Sequence, residues 1–296
     1  HAGHKRGLTA MEEYQPIMNQ LNLSGQRLSK GHRKIAAFIE ENYDKVVFMT
    51  AARLGEVVSI SESTVVRFAN ACGYEGYPQM QRALKEIVRH RLTPAQRLSI
   101  SNDLTAEELP VEVLKTDMQN IRATIEGMDK EVFSQVVEEI SKASAIYLLG
   151  LRSAAPLSEF FGYYLRYIFD DVRVISSTVN DTFETIARVK PGDVMIAISF
   201  PRYSNRTLEC MQFAKSRGVK VIGITDGPLS PLHEVASLCL AARTDMTSFA
   251  DSLAAPMSLI NALIAALGNL KRETLNHNFA QMESVWDAYR VYAGKT

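Results

Sequence analysis

The sequence is poor in the features that mark secreted or metal-holding proteins. Its 296 residues include only three cysteines, Cys72, Cys210 and Cys239, and six scattered histidines. Three widely spaced thiols form neither a disulfide framework nor a metal site, so we expect core thiols in a reducing compartment. The sequence therefore predicts a cytoplasmic protein that holds no metal and no cofactor.

Long apolar runs are also missing. No run approaches the roughly 18 residues that span a bilayer, and the longest candidate, residues 253–267, is broken by Pro256, Ser258 and Asn261. No segment has the charged start and apolar core of a signal peptide. The first ten residues lack an initiator methionine, and we expect a processing remnant there, with Met11 as the natural start. We therefore predict no membrane partner.

An excess of charge of one sign is absent overall but present locally. The chain has 33 Lys plus Arg and 33 Asp plus Glu. Residues 1–97 hold 14 basic against 9 acidic side chains, whereas residues 98–296 hold 19 against 24. This asymmetry suggests a module that faces nucleic acid joined to a different module.

The segment TAARLGEVVSISESTVVRFANACG, residues 50–73, has the pattern of a helix, a tight turn and a second helix. Gly55 is the small residue that a close crossing needs, and Val65 and Phe68 are spaced as apolar anchors of the second helix. Ser59 occupies a turn position that glycine usually fills, so its backbone must tolerate a left-handed conformation. The pattern favours a DNA-reading helix-turn-helix, and the alternative is a plain pair of packed helices.

The polar face of the second helix supplies the candidate DNA contacts. Ser61 is expected to cap this helix, because its hydroxyl can accept from the free amides of the first turn. A supporting helix is predicted over residues 29–42, with basic residues near its start. The predicted contacts with phosphates or base edges are Ser61, Ser63, Thr64, Arg67, Asn70 and, in the supporting helix, Lys34.

The second half of the chain alternates between helical patterns and short apolar strands. Strands are predicted at residues 145–150, 172–175, 193–199, 219–225 and 237–242. Five such strands separated by helices predict a doubly wound α/β domain with a five-stranded parallel sheet of flavodoxin-like order. We predict an all-α helix-turn-helix domain over residues 11–92, a linker and connecting helix over 93–128, and the α/β domain over 129–296.

The connecting helix has two recognisable features. Thr105 with Glu108 three residues later is a capping-box signature, and an apolar stripe runs from Val113 to Ile125. The stripe fits either a core or a contact with a second subunit.

Two loops of the α/β domain are candidates for ligand binding. In a sheet of this order, ligands bind beyond the carboxyl ends of the first and third strands. The loops there contain serines and arginines and lead into helix N-termini, which attract anions. Serines that merely cap the helices are the alternative explanation. The predicted anion-binding residues are Arg152, Ser153, Ser199, Arg202, Tyr203 and Ser204.

The strings SESTVVRFANACGYEGY, LLGLRS, ISFPRYS and ITDGPLSPL, and the order of the modules, resemble the RpiR/MurR family of bacterial transcriptional regulators. That family joins a helix-turn-helix domain to a SIS (sugar isomerase) domain. The resemblance runs from about Ser29 to the last helices. It implies effector-controlled transcription by an oligomer built on dimers, a homodimer or a dimer of dimers, with a phosphorylated sugar or a related intermediate as the effector. Because a single small helix-turn-helix reads few base pairs, we expect two of them to bind a palindromic DNA operator together.

The resemblance also identifies where this chain departs from the family. Ser153 matches the first phosphate-side serine, and Ser199 and Ser204 match the ends of a loop that is commonly Ser-x-Ser-Gly-x-Ser/Thr. Pro201 and Arg202 replace the middle serine and the glycine, and Arg152 replaces a small residue. Guanidinium groups suit bidentate capture of carboxylate or phosphate. A sugar phosphate, a sugar acid, a phosphorylated sugar acid and another carboxylated metabolite all remain open as effectors.

SIS domains also occur as sugar-phosphate isomerases, which need a base near the bound substrate. His233, Glu184 and His277 are the conceivable bases, although no paired spacing stands out. An isomerase would have no need of a helix-turn-helix. We therefore predict a regulator without enzymatic activity, with an isomerase as the alternative.

Overall fold

The computed structural model describes residues 28–88, 95, 97, 105–176 and 182–292. The chain divides into two compact units, residues 1–100 and 101–296, and each is described by itself. The predicted start of the first domain at residue 11 lies outside the described residues. So does the first part of the predicted linker and connecting helix at 93–128, namely residues 93–104 apart from 95 and 97.

The N-terminal unit is helical throughout its described part. Its helices are α1 (Lys30–Val46), α2 (Ala51–Val58), α3 (Glu62–Ala71) and α4 (Tyr77–Val88). The hydroxyls of Ser29 and Thr50 accept from backbone amides in the first turns of α1 and α2, which satisfies donors that a helix start leaves free. The unit has its own apolar core, which includes the fully buried side chains of Ile35, Ile39, Leu54, Val65, Phe68, Met80 and Leu84.

The C-terminal unit is the predicted doubly wound α/β domain. Its elements in chain order are α5 (Leu109–Glu126), α6 (Lys130–Ser141), β1 (Ile146–Gly150), α7 (Ala155–Leu165), β2 (Val172–Ile175), α8 (Thr182–Ile186), β3 (Val194–Ile198), α9 (Asn205–Ser216), β4 (Lys220–Thr225), α10 (Leu232–Val235), β5 (Leu238–Ala241), α11 (Ala254–Leu270) and α12 (Arg272–Tyr289). All neighbouring strands are parallel, in the order β2-β1-β3-β4-β5.

Helices cover both faces of the sheet because the side chains of each strand alternate between the two faces. Successive side chains of a strand point to opposite faces, and in β1 both faces are apolar and buried. Leu148 packs in the core that α6, α7 and α11 cover, whereas Tyr147 and Leu149 pack in the core beneath α9 and α10. Near-continuous burial is what a sheet covered on both faces requires.

Helix α5 is hydrogen-bonded to the C-terminal unit. The Asn120 side chain donates to Asp245 O at 2.9 Å and accepts from Asp245 N at 3.1 Å. Thr124 Oγ1 accepts from Arg243 N at 2.9 Å. The predicted capping box is present, since Thr105 and Glu108 exchange hydrogen bonds, although the helix itself begins at Leu109.

The apolar stripe of α5 is not part of the core of this chain. Leu114, Met118 and Ile125 expose 63, 70 and 66 % of their surface. The described residues of this chain therefore leave the stripe uncovered.

The thiols are buried or half-buried, as core thiols should be. Burial raises the pKa of Cys72 to about 12 and the pKa values of Cys210 and Cys239 to about 11. Within the described ranges, no helix combines the length and the apolar character that crossing a bilayer would require. No group of three or more side chains in those ranges is arranged to hold a metal ion.

Candidate functional sites

The turn between α2 and α3 has the close crossing that the sequence predicts. A Cβ added at Gly55 would lie 2.6 Å from Ile60 O, so a larger residue would have to move backbone. Ser59 adopts the left-handed conformation, with φ 57° and ψ 53°. The Ser59 amide donates to Glu56 O and the Ile60 amide donates to Gly55 O, which satisfies the last carbonyls of α2. The motif therefore closes as a helix-turn-helix although the turn residue is a serine.

The polar face of α3 presents the predicted DNA contacts to solvent. Ser61, Ser63, Arg67 and Asn70 are exposed, and Thr64 is half-buried. Val65 and Phe68, on the opposite face, are fully buried. Lys34 is exposed on α1, and no hydrogen bond or ion pair joins it to another residue of the described chain. The structure thus groups five of the six predicted residues on one helix.

Four of these side chains form a hydrogen-bonded chain. Ser61 Oγ lies 3.1 Å from Ser63 Oγ and 2.9 Å from Thr64 Oγ1. Arg67 Nη2 donates to Thr64 Oγ1 at 3.0 Å. Hydroxyl and guanidinium groups placed together on an exposed helix face can meet phosphate oxygens or base edges.

The predicted role of Ser61 as a cap is wrong in one respect. Ser61 holds the N-cap position, with extended backbone, but its side chain accepts no hydrogen bond from a backbone amide. The hydroxyl is bonded instead to Ser63 and Thr64. Short hydroxyl side chains in one helical turn can hydrogen-bond either to the backbone or to each other. In α3 they bond to each other.

The two predicted ligand loops leave the sheet side by side. Gly150 and Ile198, the last residues of β1 and β3, are partners in the parallel ladder. A Cβ at Gly150 would lie 2.7 Å from Ala154 O and 2.7 Å from Ser158 Oγ. Glycine is therefore required where the first loop folds back over the end of its own strand.

The first loop exposes a guanidinium and a hydroxyl. Arg152 has a left-handed backbone, with φ 59°, and both Arg152 and Ser153 are exposed. Ser153 lies inside a short 3-10 turn at Arg152–Ala154 and does not cap α7. Neither side chain is hydrogen-bonded or ion-paired to another residue in the part of the chain that the structure describes.

The second loop, residues 199–204, has a buried first half and an exposed arginine. Ser199 is buried, and its amide donates to Ile224 O at 3.1 Å. Arg202 is exposed and has no ion-pair partner within the described residues. Ser204 occupies the N-cap position of α9, but its hydroxyl makes no capping hydrogen bond. Neither Ser153 nor Ser204 therefore makes the hydrogen bond that the capping explanation requires; Ser153 is exposed and Ser204 is half-buried.

Tyr203 connects this loop to the end of β4. Its hydroxyl donates to Asp226 Oδ1 at 2.7 Å, and Thr225 Oγ1 lies 3.1 Å from the same oxygen and 2.7 Å from Ser230 Oγ. Thr225, Asp226 and Ser230 adjoin the candidate site through these hydrogen bonds, but they are not among the residues that the sequence predicts for it. The signal that could have identified them is their position at the carboxyl end of a buried strand.

The conceivable catalytic bases are scattered. Glu184 on α8, His233 on α10 and His277 on α12 are all exposed, and His277 shares a hydrogen bond with Gln281 at 2.9 Å. No contact joins any two of the three within the described ranges. General base catalysis requires a base within reach of the substrate proton, and these three residues, on three different helices, do not form a shared site.

A depression of about 420 Å³ lies at the opposite edge of the sheet, where β3 and β4 begin. Its lysines are already paired, since Lys220 lies 3.4 Å from Glu139 and Lys142 binds Glu138. Asp193 in the same lining accepts from the Lys190 amide through Oδ2, and its buried Oδ1 has no partner among the described residues. At the carboxyl edge, the side chains of Arg152, Ser153, Arg202 and Ser204 have no hydrogen-bond or ion-pair partner among the described residues. The carboxyl edge therefore stays the candidate ligand site.

Comparison with known proteins identifies two domains in the chain. Residues 16–90 match the helix-turn-helix domain of the rpiR family, and residues 139–266 match the SIS domain. An uncharacterized HTH-type transcriptional regulator of Clostridium perfringens is 22% identical over 235 residues, which are 79% of this chain and 84% of that protein.

Two solved structures share the fold. The sugar isomerase domain of an RpiR transcription factor from Sphaerobacter thermophilus is 25% identical, with a TM-score of 0.58, over 60% of this chain and 99% of that chain. The NanR protein of Vibrio vulnificus, solved in complex with ManNAc-6P, is 22% identical, with a TM-score of 0.56, over 94% of this chain and 100% of that chain.

The helix-turn-helix geometry, the five-stranded parallel sheet and both matched domains lead to one assignment. The chain belongs to the RpiR-type transcriptional regulators, which join a helix-turn-helix domain to a sugar-binding SIS domain.

Proposed function

We propose that this protein controls transcription by binding a palindromic operator and releasing or engaging it in response to a small anionic sugar derivative. The observation that carries the proposal is the pair of arginines and free serine hydroxyls beyond β1 and β3. These groups have no structural partner among the described residues. A ligand would supply the partner that the fold does not.

The DNA-binding part of the proposal rests on α3. Its exposed polar face carries Ser63, Thr64, Arg67 and Asn70, and its apolar face anchors it in the N-terminal core. A single small helix-turn-helix reads few base pairs, so two must act together on half-sites separated by whole helical turns. The operator is therefore expected to be palindromic.

The effector class follows from the chemistry of the loops. Arg152 and Arg202 would neutralise negative charge, while Ser153, Ser199 and Ser204 would donate hydroxyls and the free amides at the start of α9 would complete the site. Because a guanidinium binds planar carboxylate in a bidentate manner, a sugar acid or a phosphorylated sugar acid fits this pair better than a neutral sugar. NanR binds a phosphorylated amino sugar, which belongs to the same broad class.

Tyr203 is assigned a supporting role in this site. Its hydroxyl is engaged by Asp226, so its contribution to the effector would come from the ring and from the position of the loop. The Asp226 carboxylate lies on the β4 side, and an anion would avoid it. The negative groups of the effector are therefore expected toward β1, near Arg152.

Subunit contacts would couple the two functions. The exposed stripe on α5 is a suitable surface for a homodimer or a dimer of dimers, because exposed apolar residues at helical spacing gain free energy when a second copy covers them. An effector that prefers one arrangement of subunits would shift the spacing of the DNA-reading helices. A tenfold change in operator affinity needs about 1.4 kcal/mol of such preference.

The first experiment is a thermal-shift screen of the full chain with sugar phosphates and sugar acids. The best compound is then titrated into a complex with a DNA duplex that the protein selects from randomised palindromes. Arg202→Ala should remove the response to the compound and leave DNA binding intact. Arg217→Ala is the matched control, since it removes an arginine from the far end of α9 and should change nothing.

Each of three outcomes would contradict part of the proposal. If Arg202→Ala responds at the wild-type concentration of the compound, the effector binds elsewhere. If the purified protein isomerises an aldose phosphate at a rate comparable with its relatives among SIS enzymes, the isomerase alternative replaces the regulator. Light scattering that shows a monomer at micromolar concentration, together with a footprint over one half-site, would refute the palindromic arrangement.

A further inference from the structure

On the proposed DNA-binding face of α3, the hydroxyl of Thr64 contacts two neighbouring side chains. Thr64 is half-buried, whereas its polar neighbours Ser63 and Arg67 are exposed. Its hydroxyl oxygen accepts from Arg67 Nη2 at 3.0 Å and lies 2.9 Å from Ser61 Oγ. A threonine hydroxyl has two lone pairs and one hydrogen, so it can satisfy both neighbours at once.

The methyl group of Thr64 is held by the supporting helix. A Cβ added at Gly31 in α1 would lie 3.3 Å from Thr64 Cγ2, so the methyl group occupies the space beside a residue that has no side chain. A β-branched side chain has few rotamers in a helix. With its methyl packed against α1, Thr64 directs its hydroxyl along α3 toward Arg67 and Ser61.

We propose that Thr64 is a positioning residue, which fixes the guanidinium of Arg67 for DNA and does not itself contact DNA. The inference rests on the proposed function, because it takes Arg67 as a DNA contact. Arginine has many rotamers, and ordering such a side chain at an interface lowers affinity. A guanidinium already tethered to Thr64 loses less freedom on binding. The half-buried position of Thr64 suits this role better than direct contact.

The two halves of the Thr64 side chain can be tested separately. Thr64→Val keeps the branched shape against Gly31 and removes the acceptor, so affinity for the selected palindromic duplex should fall about threefold to tenfold. Thr64→Ser keeps the acceptor and should retain most of the affinity. Circular dichroism and thermal melting of the full chain check that each variant is folded.

A double-mutant cycle with Arg67→Ala gives the decisive measurement. If Thr64 acts through Arg67, Thr64→Val should weaken binding in the wild-type background and have no effect once Arg67 is alanine. Equal losses in both backgrounds would mean that Thr64 contacts DNA directly and would overturn the inference. So would an unchanged affinity for Thr64→Val in a protein that Arg67→Ala does weaken.

Failure of the proposed function gives a different result. If Arg67→Ala binds the duplex as the wild type does, the assignment of Arg67 as a DNA contact is wrong, and the positioning role is lost with it. If Arg67→Ala weakens binding and Thr64→Val does not, only the positioning role is lost. Should Thr64→Val be unstable, Thr64→Ala combined with the same cycle replaces it, because non-additivity with Arg67 remains measurable.

Discussion

The turn at Ser59 and the loop at Arg152 use the same uncommon backbone conformation in different ways. Both residues are non-glycine residues at positive φ, 57° and 59°, which costs an L-residue roughly 1–2 kcal/mol. Around Ser59, hydrogen bonds from the turn amides to α2 offset the cost, and its side chain has no assigned task. At Arg152, the same conformation carries a long cation beside the candidate effector site. We infer that the turn tolerates its residue, whereas the loop requires it.

The largest effect should come from adding a side chain at Gly55, where α2 and α3 cross closely. In Gly55→Ala, the new Cβ would collide with Ile60 O, and forced overpacking of this kind destabilises by about 1–3 kcal/mol. Urea denaturation should report this loss for the full chain, and gel shifts should show loss of DNA binding while the SIS domain still binds its effector. Gly76→Ala, where no described atom lies closer than 3.8 Å to the added Cβ, is the matched control and should be nearly neutral.

The second largest effect should come from removing the side chain of Arg152. Arg152→Gly should weaken effector binding at least ~10-fold, because a hydrogen bond to a charged group contributes about 1.5–3 kcal/mol. The same variant should be slightly more stable than the wild type, since glycine accepts positive φ without strain. Calorimetric titration and thermal melting measure the two quantities. If Arg152→Gly binds the effector with unchanged affinity, the loop does not require Arg152, and the inferred difference from the turn at Ser59 is wrong.

The DNA-reading helix gives the third prediction. Arg67→Ala should weaken binding to the selected operator by at least ~1 kcal/mol, or about fivefold, with the fold intact. Arg82→Ala removes an exposed arginine of α4 from the same unit and serves as the control for general charge. Equal losses for both variants in a gel shift would indicate a diffuse electrostatic effect, with no specific role for Arg67.

The smallest effect should come from Ser59→Gly. It removes the strain at the turn, although the unfolded glycine chain is more flexible, and the net gain in stability should be about 0.5 kcal/mol. Operator affinity should stay the same, because no function is assigned to the serine side chain. A fall in affinity would show that the turn, like the loop, holds its residue for function.

Much of the fold could be predicted because its signals are local. Buried strands of four to six residues appear as continuous apolar runs, and Gly55 and Ser59 mark the turn by type and spacing. Arg202 and Ser204 were placed in the ligand loop because parallel strands end at a shared edge.

Other features depended on contacts that periodicity does not encode. The hydrogen bond from Tyr203 to Asp226 joins residues 23 positions apart, and it changes Tyr203 from a free donor to a supporting residue. The hydroxyl of Ser61 was predicted to serve the backbone, but two neighbouring hydroxyls compete for it. Attachment of α5 to the C-terminal unit required Asn120 to meet a segment 125 positions later.

The amide of Asn120 has a mechanical consequence. Its nitrogen donates to Asp245 O and its oxygen accepts from Asp245 N, which is the pair of hydrogen bonds that a neighbouring strand would make. The Asn120 side chain is almost completely buried. Together with the bond between Thr124 and Arg243, it locks α5 in register with the segment that leaves β5. We therefore expect the helix that presents the exposed apolar stripe to move together with the segment that follows β5, because sliding along its axis would break these buried hydrogen bonds.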